Sequence, residues 1–180
     1  MTKFILTLSA VLLASLTLPA AQGATKSAGD PAQATLKNVR SLAIAATNEA
    51  DELRMMIGDR HEAPESQAQE LRDLRVHFDR MGQDIAKLEA VRSSLSSWEE
   101  QAFSRVEPLI QAGAGDTSRA IAYFNNNRWE AWGSQDAGYV NRIYQASNQV
   151  ASTLTSYLKY QKLHAETPAR VSQPSAGMND

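Results

Sequence analysis

The chain has 180 residues, 43% of them apolar and 21% charged, the balance of an ordinary globular domain rather than of a disordered or collagen-like protein. Eighteen Lys and Arg against 20 Asp and Glu leave a formal charge of −2, too little positive field to hold a nucleic-acid backbone or an anionic membrane surface. The absence of cysteine excludes disulfides, thiolate nucleophiles, Cys-ligated zinc, iron–sulfur clusters and covalently attached c-type haem.

Residues 1–23 read as a cleavable signal peptide. Lys3 supplies the positive start, Phe4 to Leu18 forms an apolar run too short for a comfortable membrane span, and Pro19 breaks it. Small side chains at Ala21 and Gly23 place cleavage before Ala24, and with no cysteine to follow, lipid anchoring is not expected. Cleavage removes one of the 18 bases and no acid, so the mature charge falls to about −3. A polar leader, residues 24–30, then precedes a helical domain over residues 31–165, and residues 166–180 have the small, polar, proline-containing composition of a disordered tail.

The first helix is predicted to start at Pro31 behind the cap Asp30. Leu36, Val39, Ala43, Ala46, Ala50, Leu53 and Ile57 alternate spacings of three and four along it, and Gly58 ends it. Asp59 to Ser66 reads as a loop. Leu71, Leu74, Phe78, Met81, Ile85 and Leu88 then define a second seam continuing to Leu95. Ser97 and Glu100 have capping-box spacing for a third helix, whose seam is Phe103, Val106, Ile110, Gly113, Thr117, Ala120 and Phe124. Pro108 and the run Ala112-Gly113-Ala114-Gly115 interrupt it. One bent helix is favoured over two helices split at Asp116, because the heptad phase survives the glycines. The fourth helix begins near Gly133 to Asp136, runs along Tyr139, Ile143, Ala146, Val150, Tyr157 and Tyr160 with support from Val140, Leu154 and Leu158, and ends near His164. Four seamed segments with short connections specify an all-α, up-down-up-down four-helix bundle with long helices, the third kinked near Pro108.

At Trp98-Glu99-Glu100-Gln101-Ala102, with Arg105 and Pro108-Leu109, and at the Asn-rich segment leading to Trp132 and Tyr139-Val140, the chain resembles a family of uncharacterised, signal-bearing bacterial proteins of all-helical type. The resemblance spans residues 71–160. It implies a helical fold and export, and supplies no activity and no catalytic residues.

Asp73 and His77 share one helical face with Met81 a turn further on, the beginning of a metal site but only two ligands, so a boundary histidine paired with Asp73 is the simpler reading. The residues three before His61, His77 and His164 are Gly58, Leu74 and Gln161, so the Glu-x-x-His signature of di-iron bundles is missing. Met55 and Met56 fall at the opposite end of the bundle from His164, which disfavours a Met/His-clamped haem. Ala43, Ala46 and Ala50, facing Ala112, Gly113 and Ala114, permit either close helix approach or a cleft for an apolar ligand between the first and third helices. Gly-x-Ser-x-Gly and glycine-rich phosphate loops do not occur.

The resulting expectation is a periplasmic or secreted, non-enzymatic bundle without cofactor, acting through contacts with an envelope protein or another envelope component. Trp129 and Trp132, in the loop before the fourth helix, are its candidate contact residues. The alternative is a small apolar ligand-binding or sensing bundle. A second copy of the chain is an admissible partner; nucleic acid is not expected.

Overall fold

A computed structural model describes residues 30–57, 63–127 and 134–166, the side chains of 134–136 and 164–166 excepted. They form four α-helices, α1 (Pro31–Met56), α2 (Pro64–Ala90), α3 (Ser97–Asn126) and α4 (Ser134–Glu166), with a 3-10 turn at Arg92–Ser94 between α2 and α3 and no strand among the described residues. Residues 1–29, where the signal peptide and leader segment are expected, residues 58–62, residues 128–133 with Trp129 and Trp132, and residues 167–180 lie outside the described residues.

Helix α1 starts where the sequence places it. Pro31 brings a fixed φ and no N–H to a position where a donor would go unused, and Asp30 Oδ1 accepts from the Ala32 amide at 3.0 Å. Pro64 acts likewise at the start of α2, so the expected loop over residues 59–66 is shorter than predicted. At its other end α2 stops at Ala90 instead of reaching Leu95: the Ser94 hydroxyl donates to the Val91 carbonyl at 2.7 Å, a local bond that competes with the helical ladder. Leu95 still packs against the core. The cap of α3 is one residue earlier than expected. Ser96 is the N-cap, and its amide and hydroxyl both donate to Glu99 Oε2, at 2.9 and 2.6 Å. Glu100 turns outward to Arg92 at 2.7 Å.

Helix α3 runs unbroken through Pro108 and the glycines, so the single-helix alternative holds. Three seams are buried as predicted: Leu36 to Leu53 on α1, Leu71 to Leu88 on α2, and Phe103 to Phe124 on α3. The α4 seam differs. Its buried line is Val140, Ile143, Ser147, Val150, Leu154 and Leu158, with Ala146 and Ala151 beside it, while Tyr139 and Tyr157 sit at the core's edge and Tyr160 is exposed. Edge positions let the phenol oxygens stay wet while the rings cover apolar surface.

Helix α1 packs mainly on α2 and α4, and α3 does the same, which leaves α1 and α3 diagonally opposed with little contact. The small residues therefore do not face one another as predicted. Ala112 is exposed, and Gly113 faces α2 and α4: a Cβ built there would collide with the Phe78 ring and lie 3.3 Å from Ala146 Cβ. The Phe78 ring fills the space beside Gly113. The cross-helix pairs Glu49–His77 and Arg54–Tyr144 bring Ala46 and Ala50 to the same level, so one large ring is matched by small residues on the other three helices.

The glycines of this bundle should therefore respond oppositely to alanine. Gly82 and Gly115 have open space where a Cβ would go, and alanine at either should stabilise by about 0.5–1 kcal/mol through helix propensity. Gly113→Ala should destabilise by about 1–3 kcal/mol through overpacking against Phe78. Urea unfolding of the three variants checks this; a common sign for all three would contradict the packing.

Candidate binding groove

The expected pairing of His77 with Asp73 does not form. His77 Nε2 lies 2.8 Å from Glu49 Oε1 on α1, Asp73 Oδ2 accepts from the Gln69 amide at 2.8 Å, and Met81 is fully buried in the core. The reason is topological: the α1–α2 interface presents a carboxylate to His77 from the neighbouring helix, which no single-helix spacing reveals. Among the described residues no group of three or more His, Asp or Glu is arranged to hold a metal ion.

Glu49, Glu52, Glu70 and Asp73 nevertheless form an acidic strip around His77. Burial holds the Glu49 carboxyl above its ordinary value, with Asp73 and Glu52 adding to the shift and the His77 hydrogen bond and charge opposing it. Glu70 is raised by burial and by Glu52, Glu49 and Asp73. Structural ion pairs occupy other corners. Asp84, 5% exposed, takes Asn38 Nδ2 at 2.6 Å and Lys87 Nζ at 2.7 Å; Asp116, equally buried, is held by Arg119 and by two nitrogens of Arg142.

The surface feature with binding character lies between the start of α3 and the last turns of α4. Ser96, Ser97, Trp98, Gln101, Arg105, Ser156, Tyr157 and Tyr160 line a groove of about 650 Å³. A smaller hollow of about 220 Å³ continues it past Arg105 to Ser152 and Thr153. Trp98, Gln101 and Arg105 recur at three and four residues on α3, and Ser152, Ser156, Tyr157 and Tyr160 do so on α4, so each wall is one helical stripe beside the buried seam. Neither wall contains a carboxylate.

Arg105 is distinctive within the bundle. Four arginines lie over aromatic rings among the described residues: Arg54 on Tyr144, Arg92 on Phe103, Arg105 on Tyr157 and Arg142 on Tyr139. Three of them also pair with a carboxylate, through Asp51, Glu100 with Glu89, and Asp116 respectively. Arg105 has no carboxylate partner among the described residues; its guanidinium rests 5.7 Å from the Tyr157 ring centre.

Trp129 and Trp132, the predicted contact residues, lie outside the described residues. The groove was missed because its walls belong to two helices distant in sequence. One partial signal was present: three or four residues from Arg105 stand Gln101, Ala102, Pro108 and Leu109, none acidic, whereas Arg54, Arg92 and Arg119 each have an acid three residues earlier; Arg142 shares this lack and finds its acid, Asp116, on α3. Comparison with protein-family models, with curated proteins and with solved structures gave no match.

The acidic strip sets a pH response. A carboxyl raised by folding contributes most favourably below its unfolded value of 4.5, and that contribution is lost as pH rises through the folded value. Glu70→Gln should therefore raise the unfolding temperature at pH 7, with the gain shrinking as pH falls towards 4.5. Thermal melts across that range check it; a gain that grows on acidification would contradict the assignment.

Proposed function

We propose that this chain is an exported, non-enzymatic helical-bundle protein of the periplasm or extracellular space, acting by contact with another protein or envelope component. The observation that carries the reading is the α3–α4 groove, where rings, hydroxyls and a guanidinium with no carboxylate partner among the described residues share one surface. Export is supported by the apolar run from Phe4 to Leu18 and the small residues at Ala21 and Gly23. No described helix is long and apolar enough to cross a membrane.

The bundle is read as up-down-up-down. Supporting this, Asn38 pairs with Asp84 and Glu49 with His77 between α1 and α2, Arg105 with Tyr157 and Asp116 with Arg142 between α3 and α4, and Arg54 with Tyr144 between α1 and α4. Between α1 and α2 and between α3 and α4 the partner's number falls as the first rises, as antiparallel neighbours require. A kink at Pro108 belongs to the same proposal: proline offers no donor to the Ser104 carbonyl and its ring crowds the preceding turn. The kink sets the first arm of α3, which forms one groove wall, apart from the arm that carries Gly113.

Affinity capture from an envelope extract of the host tests the contact reading. The wild-type chain should retain a component that Arg105→Glu loses, with both proteins equally folded by circular dichroism. Equal retention by the two would remove the groove as the contact surface.

A further inference from the structure

We infer that the α3–α4 groove binds an aromatic carboxylate, a flat ring stacked against Trp98 and Tyr160 with its carboxylate on Arg105; this rests on the groove being the contact surface proposed above. Charge complementarity carries the assignment. Arg105 is the ring-stacked arginine that lacks a carboxylate among the described residues, and it stands in a groove whose walls supply none. Elsewhere in the same molecule the arrangement is completed from within: Arg142 rests 4.9 Å from the Tyr139 ring centre and takes Asp116 at 3.1 Å, and Arg92 rests 5.1 Å from the Phe103 ring centre and takes Glu100 at 2.7 Å. A guanidinium lying on a ring keeps its edge N–H donors in one plane, the geometry a carboxylate meets with two parallel bonds. A ligand would supply at Arg105 what Asp116 and Glu100 supply at the other two.

The rest of the lining selects the body of the ligand. Trp98 is half-buried and Tyr160 is 57% exposed at the end of the groove, so aromatic surface lines it from both helices. The hydroxyls of Ser97 and Ser156 and the amide of Gln101 offer polar contacts at the rim without adding charge. A volume of about 650 Å³ falls in the range of small-molecule sites, roughly 300–1,000 Å³. Because the chain carries a formal charge of −2, attraction of an anion depends on Arg105 locally, not on the field of the whole protein.

Isothermal titration calorimetry of the full-length chain with 2-naphthoate tests the inference, with 2-naphthamide as the neutral aromatic and cyclohexanecarboxylate as the non-aromatic acid. 2-Naphthoate should bind one to one and at least tenfold more tightly than either comparison compound. Arg105→Gln should weaken 2-naphthoate at least tenfold and bring it level with 2-naphthamide, and Trp98→Ala should weaken both aromatic compounds. Arg105 is exposed and gives up only its stacking on Tyr157, so Arg105→Gln should lower the unfolding temperature by about 4 °C at most, which separates binding from folding. Equal affinity for acid and amide, unchanged 2-naphthoate affinity in Arg105→Gln, or no heat at millimolar 2-naphthoate would overturn the ligand class. So would sedimentation revealing a dimer that Arg105→Gln abolishes, since the occupant would then be a second copy. If 2-naphthoate fails while envelope capture still depends on Arg105, the contact reading stands without this ligand class; if both fail, the groove is not a binding surface.

Discussion

The bundle is organised around one ring in one notch. Phe78, 1% exposed, presses into α3 at Gly113, where the absence of a Cβ is what admits it, and Ala146 of α4 closes the same space. Ridge-into-groove packing tolerates many side chains at most levels of a bundle, but this level admits very few. A side chain on α3 here would collide with the ring, and a smaller residue on α2 would leave a void. Both costs are of the size that decides marginal stabilities, about 1–5 kcal/mol. The level also fixes register. With Phe78 seated, α2 cannot slide along α3 without driving the ring into Asp116 and Thr117 on one side or Ile110 on the other, all of them buried.

The polar features depend on that register. Asp84 and Asp116 are nearly as buried as the core, and each is tolerable because a neighbouring helix delivers a partner at the right height: Asn38 from α1 to the first, Arg142 from α4 to the second. Three stacked arginines tie the structure in the same way: Arg54 and Arg142 cover tyrosine rings at the core's edge and Arg92 covers the buried Phe103, while the charge of each meets a carboxylate. Arg105 departs from this pattern, and the departure gives the groove its chemistry. With stability supplied by apolar seams and internally paired charges, the Arg105 guanidinium between α3 and α4 rests on the Tyr157 ring but meets no carboxylate among the described residues.

Periodicity made most of the fold legible. The seams of α1, α2 and α3 could be read residue by residue, because in each the seam positions are apolar or small and repeat every three or four residues, the buried Gln67, Asp84, Glu99 and Asp116 lying beside them. In α4 a buried serine, Ser147, stands in the seam, its hydroxyl satisfied by the Ile143 carbonyl, while three tyrosines lie close by; ranking by size drew the line through the tyrosines. The α3 cap was ambiguous because Ser96 and Ser97 each precede a glutamate by three residues, and backbone geometry alone chooses between them. Contacts between helices were beyond reach. The partner of His77, the neighbour of Gly113 and the second wall of the groove all come from residues 28 to 64 positions away, a separation on which a seam says nothing.

A double-mutant cycle between Phe78→Leu and Gly113→Ala, followed by equilibrium unfolding, tests the central packing most directly. The added methyl should be costly beside phenylalanine and nearly neutral beside leucine, giving a favourable coupling of about 1–2 kcal/mol. Additive costs would show that the ring does not occupy the notch, and the register built upon it would fall with that result.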